Sequence, residues 1–362
     1  MLLLIFPYSF TYSKIRFLIL SLSKISLLVI KNYYFYTSKY DLTGKNGDMN
    51  AERNAPQWLI ILAFMAVYIV WGTTYLAVIY GLRGFPPFML SGLRYLLAAI
   101  LLLGWCGIRR VAWPGWSVVK VCVVSGILML VGGSGIVAWS EQYITSGQAA
   151  IMIATEPFVF LLADRKRWRE YFGNVFIITG LLVGFAGIIL FFGGGEAAAQ
   201  QDADNVMQWV GYGAILVGTV FWVAGALHAE GKLDKRTPNI LSSAIQLLAA
   251  AIASGLLSGM TGEWSRFRIE QVPAAAWAGL LYLVFFGSLI AYMAFTWLIT
   301  VRPPALVSTH TYVNPVVAVL MGWAFVNEQL SWMQLLGMFV ILVGVLLTNF
   351  PNYKLSFNRQ RA

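Results

Sequence analysis

The sequence predicts an all-α polytopic membrane protein, ten transmembrane helices built as two inverted five-helix repeats. Three observations predict it. Hydrophobic residues make up 59% of the chain and charged residues 11%, with a mean hydropathy of +0.73, whereas soluble domains sit near half apolar and a quarter charged. The apolar residues gather into ten runs of roughly membrane length. The second half also repeats the first. Pro87 to Gly92 (PFMLSG), followed by Leu96-Leu97-Ala98-Ala99, is echoed by Pro238 to Ser243 (PNILSS), followed by Leu247-Leu248-Ala249-Ala250. The offset is 151, and it also carries Trp71 onto Trp222. Later it drifts to 157–158, pairing Trp139 with Trp297, Pro157 with Pro315, and Gly180 and Gly187 with Gly337 and Gly344. With five spans per repeat the second copy enters the membrane from the opposite side, an arrangement that recurs among secondary transporters.

A helix rises 1.5 Å per residue, so about 20 residues cross about 30 Å of hydrocarbon, where the backbone must satisfy its own hydrogen bonds. Span one, at 57–80, holds Trp71 and Tyr75, and span two, at 88–106, holds Arg94. Span three, at 116–139, closes at Glu141-Gln142, and span four, at 146–163, carries Glu156-Pro157. Span five, at 174–193, spaces Gly180, Gly184 and Gly187 so that a neighbouring helix can approach closely. Span six, at 207–229, holds Trp222 and ends near His228. Span seven, at 239–260, repeats span two, and span eight, at 274–300, carries Tyr292 and Trp297. Span nine, at 304–326, contains His310, Tyr312 and Asn314-Pro315 and closes at Asn327-Glu328; span ten runs over 331–350.

The repeats therefore occupy 57–193 and 207–350. Between them 194–206, rich in Gly, Ala and Gln, reads as a flexible outer linker. Residues 351–362 are expected to form a cytoplasmic tail and 1–56 a leader. Residues 1–48 contain no Ala, Glu, Gln or Trp, unlike the rest, and Met49 is a candidate start. The run Ile15–Ile30, interrupted by Lys24, leaves an eleventh helix as the alternative.

Orientation follows from the basic loops. Placing the start of span one in the cytoplasm puts Arg109-Arg110, Arg165 to Arg169, Lys232 to Arg236, Arg302 and the tail inside, leaving Arg83, Arg266 and Arg268 outside. Both termini are then cytoplasmic, in a cell membrane. The net charge of +10 sits in these loops and forms no continuous basic face, so no nucleic acid partner is expected. Cys106 and Cys122 give no disulfide framework. His228 and His310 lack a ligand pattern, so neither metal nor cofactor is expected. The chain has no Gly-x-Ser-x-Gly, no Walker lysine motif and no His-Glu-x-x-His, so no catalytic residue is assigned.

Polar groups inside the spans carry the functional expectation, because a central charge costs about 2.5–3.5 kcal/mol to insert. Arg94 has an apolar counterpart, Ile245, so the repeat does not demand it. It reads as a counter-charge for an anionic substrate group, or as a structural partner of Glu141 or a snorkelling residue. Glu156, placed near the middle of span four beside a helix-kinking Pro157, can bind a cation or a proton, or can sit protonated against a neighbouring helix. Its counterpart is Asn314, before Pro315, so both halves put a polar residue ahead of a kinking proline. His310 lies well inside a span and titrates near neutral pH in water. Trp71 and Trp222 fall near mid-depth, away from the interfacial belt that Trp usually occupies, where packing is the alternative to lining a cavity. Glu141 and Glu328 read as helix caps or an outer gate.

Val70-Trp71-Gly72-Thr73-Thr74-Tyr75, Pro86-Pro87…Arg94-Tyr95, Ser146-Gly147-x-Ala149-Ala150…Pro157 and Tyr312-Val313-Asn314-Pro315…Asn327-Glu328 resemble the EamA-type branch of the drug/metabolite transporter superfamily. The resemblance covers 57–350. It implies an exporter of small metabolites, amino acids among them, with a cavity lined by Trp71, Tyr75, Glu156, Trp222, Tyr292, His310 and Asn314. One departure stands out. Leu161-Leu162-Ala163-Asp164-Arg165-Lys166 follows Pro157 almost at once, a shorter stretch than the resemblance leads one to expect. Organic-cation efflux, or a lipid-handling enzyme or sensor, are the competing readings. Proton coupling is an expectation, and the oligomeric state is left open.

Overall fold

The computed structural model describes residues 55–144, 149, 152–193, 206–234, 236–326 and 331–359. The candidate leader, residues 194–205 of the linker, Ser146-Gly147 and Asn327-Glu328 lie outside them. The described residues are helical throughout, with no strand among them. The main helices are α1 (Gln57–Leu82), α2 (Pro87–Ile108), α3 (Trp116–Ser140), α4 (Glu156–Ala163), α5 (Val175–Gly193), α6 (Val206–Lys232), α7 (Asn239–Met260), α8 (Ala274–Val301), α9 (His310–Val326) and α10 (Trp332–Arg359). Pro56, Pro86, Pro238 and Pro273 stand immediately before α1, α2, α7 and α8 in extended conformation. A proline cannot continue a helix backwards, and the first turn needs no N–H from it.

Ten main helices stand where the ten spans were expected, and among the described residues α4 and α9 are the two that fall short of membrane length. Among the described residues seven helices are long and apolar enough to cross a membrane. The apolar α5 is bent by 92° from the short basic segment Arg165–Phe172 that precedes it, and the count reaches eight when that pair is taken as one span. In span four Met152-Ile153 are helical, Ala154-Thr155 form a turn and α4 resumes at Glu156, which therefore stands in the first turn after a break. Pro157 is the second residue of α4, directly after the turn at Ala154-Thr155 that interrupts the span. Span nine is broken at Ser308-Thr309 into Pro304–Val307 and α9, with Pro315 inside α9 as expected. α10 also runs on through Arg359, where a tail was expected after 350.

Packing pairs the halves helix by helix. α2 lies along α7 and α5 along α10, while α1 packs on α8 and α3 on α6. Under a two-fold relation that exchanges the repeats, the first two pairs map onto themselves and the last two onto each other. The α5–α10 seam is backbone on backbone. A Cβ on Gly180 would strike the Thr348 backbone, and one on Gly344 would strike Gly184. Hydrocarbon offers helices no hydrophobic drive to associate, so such close approach supplies the dispersion contacts that do. The outer surface carries exposed Ile100, Leu182, Val220, Leu256, Phe339 and Leu346, side chains suited to lipid.

Candidate functional site

A cavity of about 150 Å³, measured as room for the centres of water-sized molecules, lies between the halves. Helical spacing aims its walls. α1 contributes Trp71, Thr74, Tyr75 and Val78, at i, i+3, i+4 and i+7, and α2 contributes Leu90, Ser91 and Arg94. α3 adds Leu130 through Glu141 at the same periodicity. Three of the lining helices carry π-helical stretches at this depth: Ala66–Val70 ahead of Trp71, Ile127–Gly135 in α3 and Leu283–Ala291 ahead of Tyr292. The latter two occupy matching places in the repeats. An extra residue per turn re-aims the side chains beyond it, a device often found at functional sites.

The floor is aromatic. Trp71 meets its repeat counterpart Trp222 edge to face at 5.6 Å between centroids, and Phe295 of α8 lies 5.3 and 5.2 Å from the two. His310 stands on Trp71 at 4.8 Å, nearly perpendicular. The Trp71 indole donates to the Gly287 carbonyl at 3.2 Å, while the Trp222 Nε1 is buried without a hydrogen-bond partner. Glu156 Oε1 and His310 Nε2 are likewise buried and unpartnered, 3.8 Å apart. These three orphaned atoms come from α4, α6 and α9, and all three residues line the cavity. A buried polar atom left unpaired costs about 1–3 kcal/mol.

The wall nearer Glu141 holds the cation. Arg94 Nε donates to Ser288 Oγ at 2.8 Å, and the guanidinium lies 5.2 Å over the Tyr95 ring. Among the described residues no acid pairs with it. Glu141 lines the same cavity but forms no ion pair with Arg94, so the structural pairing weighed from sequence is not made. The two guanidinium Nη groups thus remain available as a planar fork.

All eight residues singled out from sequence as substrate-binding line this cavity: Trp71, Tyr75, Arg94, Glu156, Trp222, Tyr292, His310 and Asn314. Tyr292 needs one correction of role. Its hydroxyl is committed to Gln246 Oε1 at 2.9 Å, and Gln246 passes the chain on to Ser125 at 2.9 Å, so it offers the cavity a ring and no free donor. Pro157 does not line the cavity, and neither does Pro315, which instead leaves the Thr311 carbonyl without its helical donor beside it. Phe295 and Ser288 escaped the sequence reading. The signal for Phe295 was its place one turn beyond Tyr292 on α8; Ser288 had none. Among the described residues no group of three or more His, Cys, Asp or Glu side chains could hold a metal ion.

The model of the EamA-like transporter family matches twice, over residues 58–193 and 209–350. The chain belongs to the EamA-like transporter family. It is therefore a multi-pass membrane protein of a transporter family with two EamA repeats, and Trp71 and Trp222 meet where those repeats face each other. The "uncharacterized inner membrane transporter YedA" of Escherichia coli (strain K12) is 33% identical over 298 residues, 80% of this chain and 90% of that one. The "uncharacterized transporter YoaV" of Bacillus subtilis (strain 168) is 25% identical over 311 residues, 83% and 99% of the two chains. A solved crystal structure of a protein superposes with a TM-score of 0.64 at 19% identity, over 82% of this chain and 98% of that one, which shows that the two share a fold.

Proposed function

We propose that this protein is a secondary transporter exporting a small organic metabolite, an amino acid or related compound, by alternating access at the cavity between its repeats. The observation that carries the reading is the convergence of three unpartnered buried atoms, Glu156 Oε1, Trp222 Nε1 and His310 Nε2, on residues of one cavity. A passing solute satisfies them and is then released. Arg94 supplies an anion-binding fork in the same cavity, and the aromatic floor suits an apolar or planar moiety. With the basic loops in the cytoplasm, the cavity lies on the outward half of α1, α2 and α3. The inward ends are drawn together by Arg167, which donates to Asp164 and to Glu230, both at 2.8 Å. A cell-membrane location follows the same orientation.

Organic-cation efflux is the second reading. Glu156 beside stacked aromatic rings favours it, but Arg94 in the same cavity opposes a simple cation. Proton coupling through Glu156 or His310 belongs to the first reading, and transport that stays driven by the pH gradient in Glu156→Gln and His310→Ala variants counts against it. The deciding experiment is uptake and efflux of a metabolite panel by proteoliposomes, with and without a pH gradient. Saturable flux of an amphoteric or carboxylate-bearing solute is expected. Absence of flux for every solute at every gradient would sink the transporter reading.

A further inference from the structure

Glu156 and His310 are the first residues of α4 and α9, the two helices that fall short, one from each repeat. Discontinuous helices at the midplane are where transporters place exposed backbone and ion-handling side chains. Here the break brings the two residues within 3.8 Å, Oε1 to Nε2, with both side chains buried. Asn314, one turn along α9, decides what His310 presents to the carboxyl. Its amide satisfies both ends in one orientation only: Nδ2 donates to the backbone carbonyls of His310 and Tyr68, each at 3.0 Å. The amide oxygen then takes the position 3.3 Å from His310 Nδ1, an acceptor that requires Nδ1 to carry hydrogen. His310 therefore turns the lone pair of Nε2 toward Glu156. Two bare acceptors facing each other at a buried position are unfavourable, and a single proton between them satisfies both.

We infer that Glu156 and His310 bind one proton jointly, as a single site, and that Asn314 is the positioning residue that fixes the tautomer allowing it. With the proton on either partner the pair is neutral overall. Without it the pair carries one negative charge, which a cationic group of a solute can neutralise in its place. Proton and cationic group thereby exclude one another, which is the elementary requirement of antiport. No lysine or arginine pairs with Glu156 among the described residues. The titratable groups facing it are Tyr75 of α1 and Tyr312 of α9, with Glu141 of α3 facing Tyr75. Trp71 of α1 and Phe295 of α8 close on His310 and do not titrate.

The consequence for antiport rests on the transporter reading, so the test reads protonation itself. The full chain carries two histidines, and His228→Asn leaves His310 as the one reporter. With ¹⁵N-labelled histidine in lipid nanodiscs, Nδ1 is expected to stay protonated across the titration while Nε2 alone changes state. Glu156→Gln, which keeps the size of the side chain, is expected to move the His310 midpoint by about one pH unit or more, as coupled sites require. Asn314→Leu is expected to release the Nδ1–H tautomer. A neutral Nε2–H tautomer in the protein with Glu156 and Asn314 intact overturns the inference, whatever the variants do. So does a His310 midpoint indifferent to Glu156→Gln. A null result in the flux panel with these signatures present leaves the proton site standing and removes only the transport reading.

Discussion

At the scale of single residues, Arg94 is where the proposed solute classes can be told apart by experiment. Its Nε is spent on Ser288 and its guanidinium lies 5.2 Å over the Tyr95 ring, which leaves the two Nη groups for a carboxylate. Losing a hydrogen bond to a charged group costs about 1.5–3 kcal/mol, so Arg94→Gln is expected to raise the KM for a carboxylate-bearing solute roughly tenfold or more. Ser288→Ala removes only the hydroxyl that aims the fork, for about 1 kcal/mol or a fewfold change. Solutes without an anionic group should be spared by both. An equal loss across all solutes would make Arg94 a part of the wall and not of its selectivity. Much of this cavity was legible in the sequence because charged and unpaired polar groups are rare within spans. Arg94, Glu156 and His310 also break the repeat, which marks them as unnecessary to its frame. Phe295, Ser288 and the threonines were not legible. Ser and Thr in spans commonly bond their own helix, as Thr74 does to the Trp71 carbonyl at 2.7 Å, so their presence signals nothing.

At the scale of elements, the repeat pattern located the helices better than it located their interruptions. Span four reads as one continuous apolar run, yet a turn at Ala154-Thr155 interrupts it and leaves eight helical residues from Glu156. Hydropathy sees length and polarity, and a break that turns polar backbone toward a cavity alters neither. The π-helical stretches were hidden for a similar reason, since they change the facing of residues without changing their order. The glycines were legible. Gly180→Ala or Gly344→Ala places a methyl against backbone that cannot swing aside, and overpacking of this kind costs about 1–3 kcal/mol. Thermal unfolding in detergent is expected to show both variants melting earlier. Gly104, where an added methyl group would meet nothing within 4 Å, provides the comparison: Gly104→Ala should leave the melting temperature unchanged or raise it. Equal effects at Gly104 and Gly180 would mean that helix propensity, and not the α5–α10 seam, sets the response.

At the scale of the whole molecule, the halves are tied at opposite faces by different chemistry. On one face the Glu263 carboxylate accepts the Phe88 and Met89 backbone N–H groups at 3.3 and 2.9 Å, capping α2 from the second repeat. On the other, Arg167 joins Asp164, at the end of α4, to Glu230 on the last turn of α6, and Tyr171 donates to Asp164 at 2.8 Å. Burial opposes the Arg167 charge, but the hydrogen bonds to Glu230 and Asp164 more than offset it and hold the guanidinium above the ordinary arginine range. Alternating access requires that one of these faces open as the other closes, and the ion pair is the tie that can break without unravelling a helix end. Its loss should shift the balance between states by about 1.5–3 kcal/mol, tenfold or more in population. The readout is Ser134→Cys on the cavity wall, in a chain carrying Cys106→Ala and Cys122→Ala, labelled by an impermeant maleimide from either side of sealed vesicles. Arg167→Gln and Glu230→Gln should each increase labelling from the Arg167 face and reduce it from the Glu141 face. Because both variants remove the same bond, the double variant should add little to either. Fully additive effects would assign the two residues separate roles, and unchanged labelling from the Arg167 face would show that closure there rests on apolar packing around Phe160 and Tyr171, which no single charge controls.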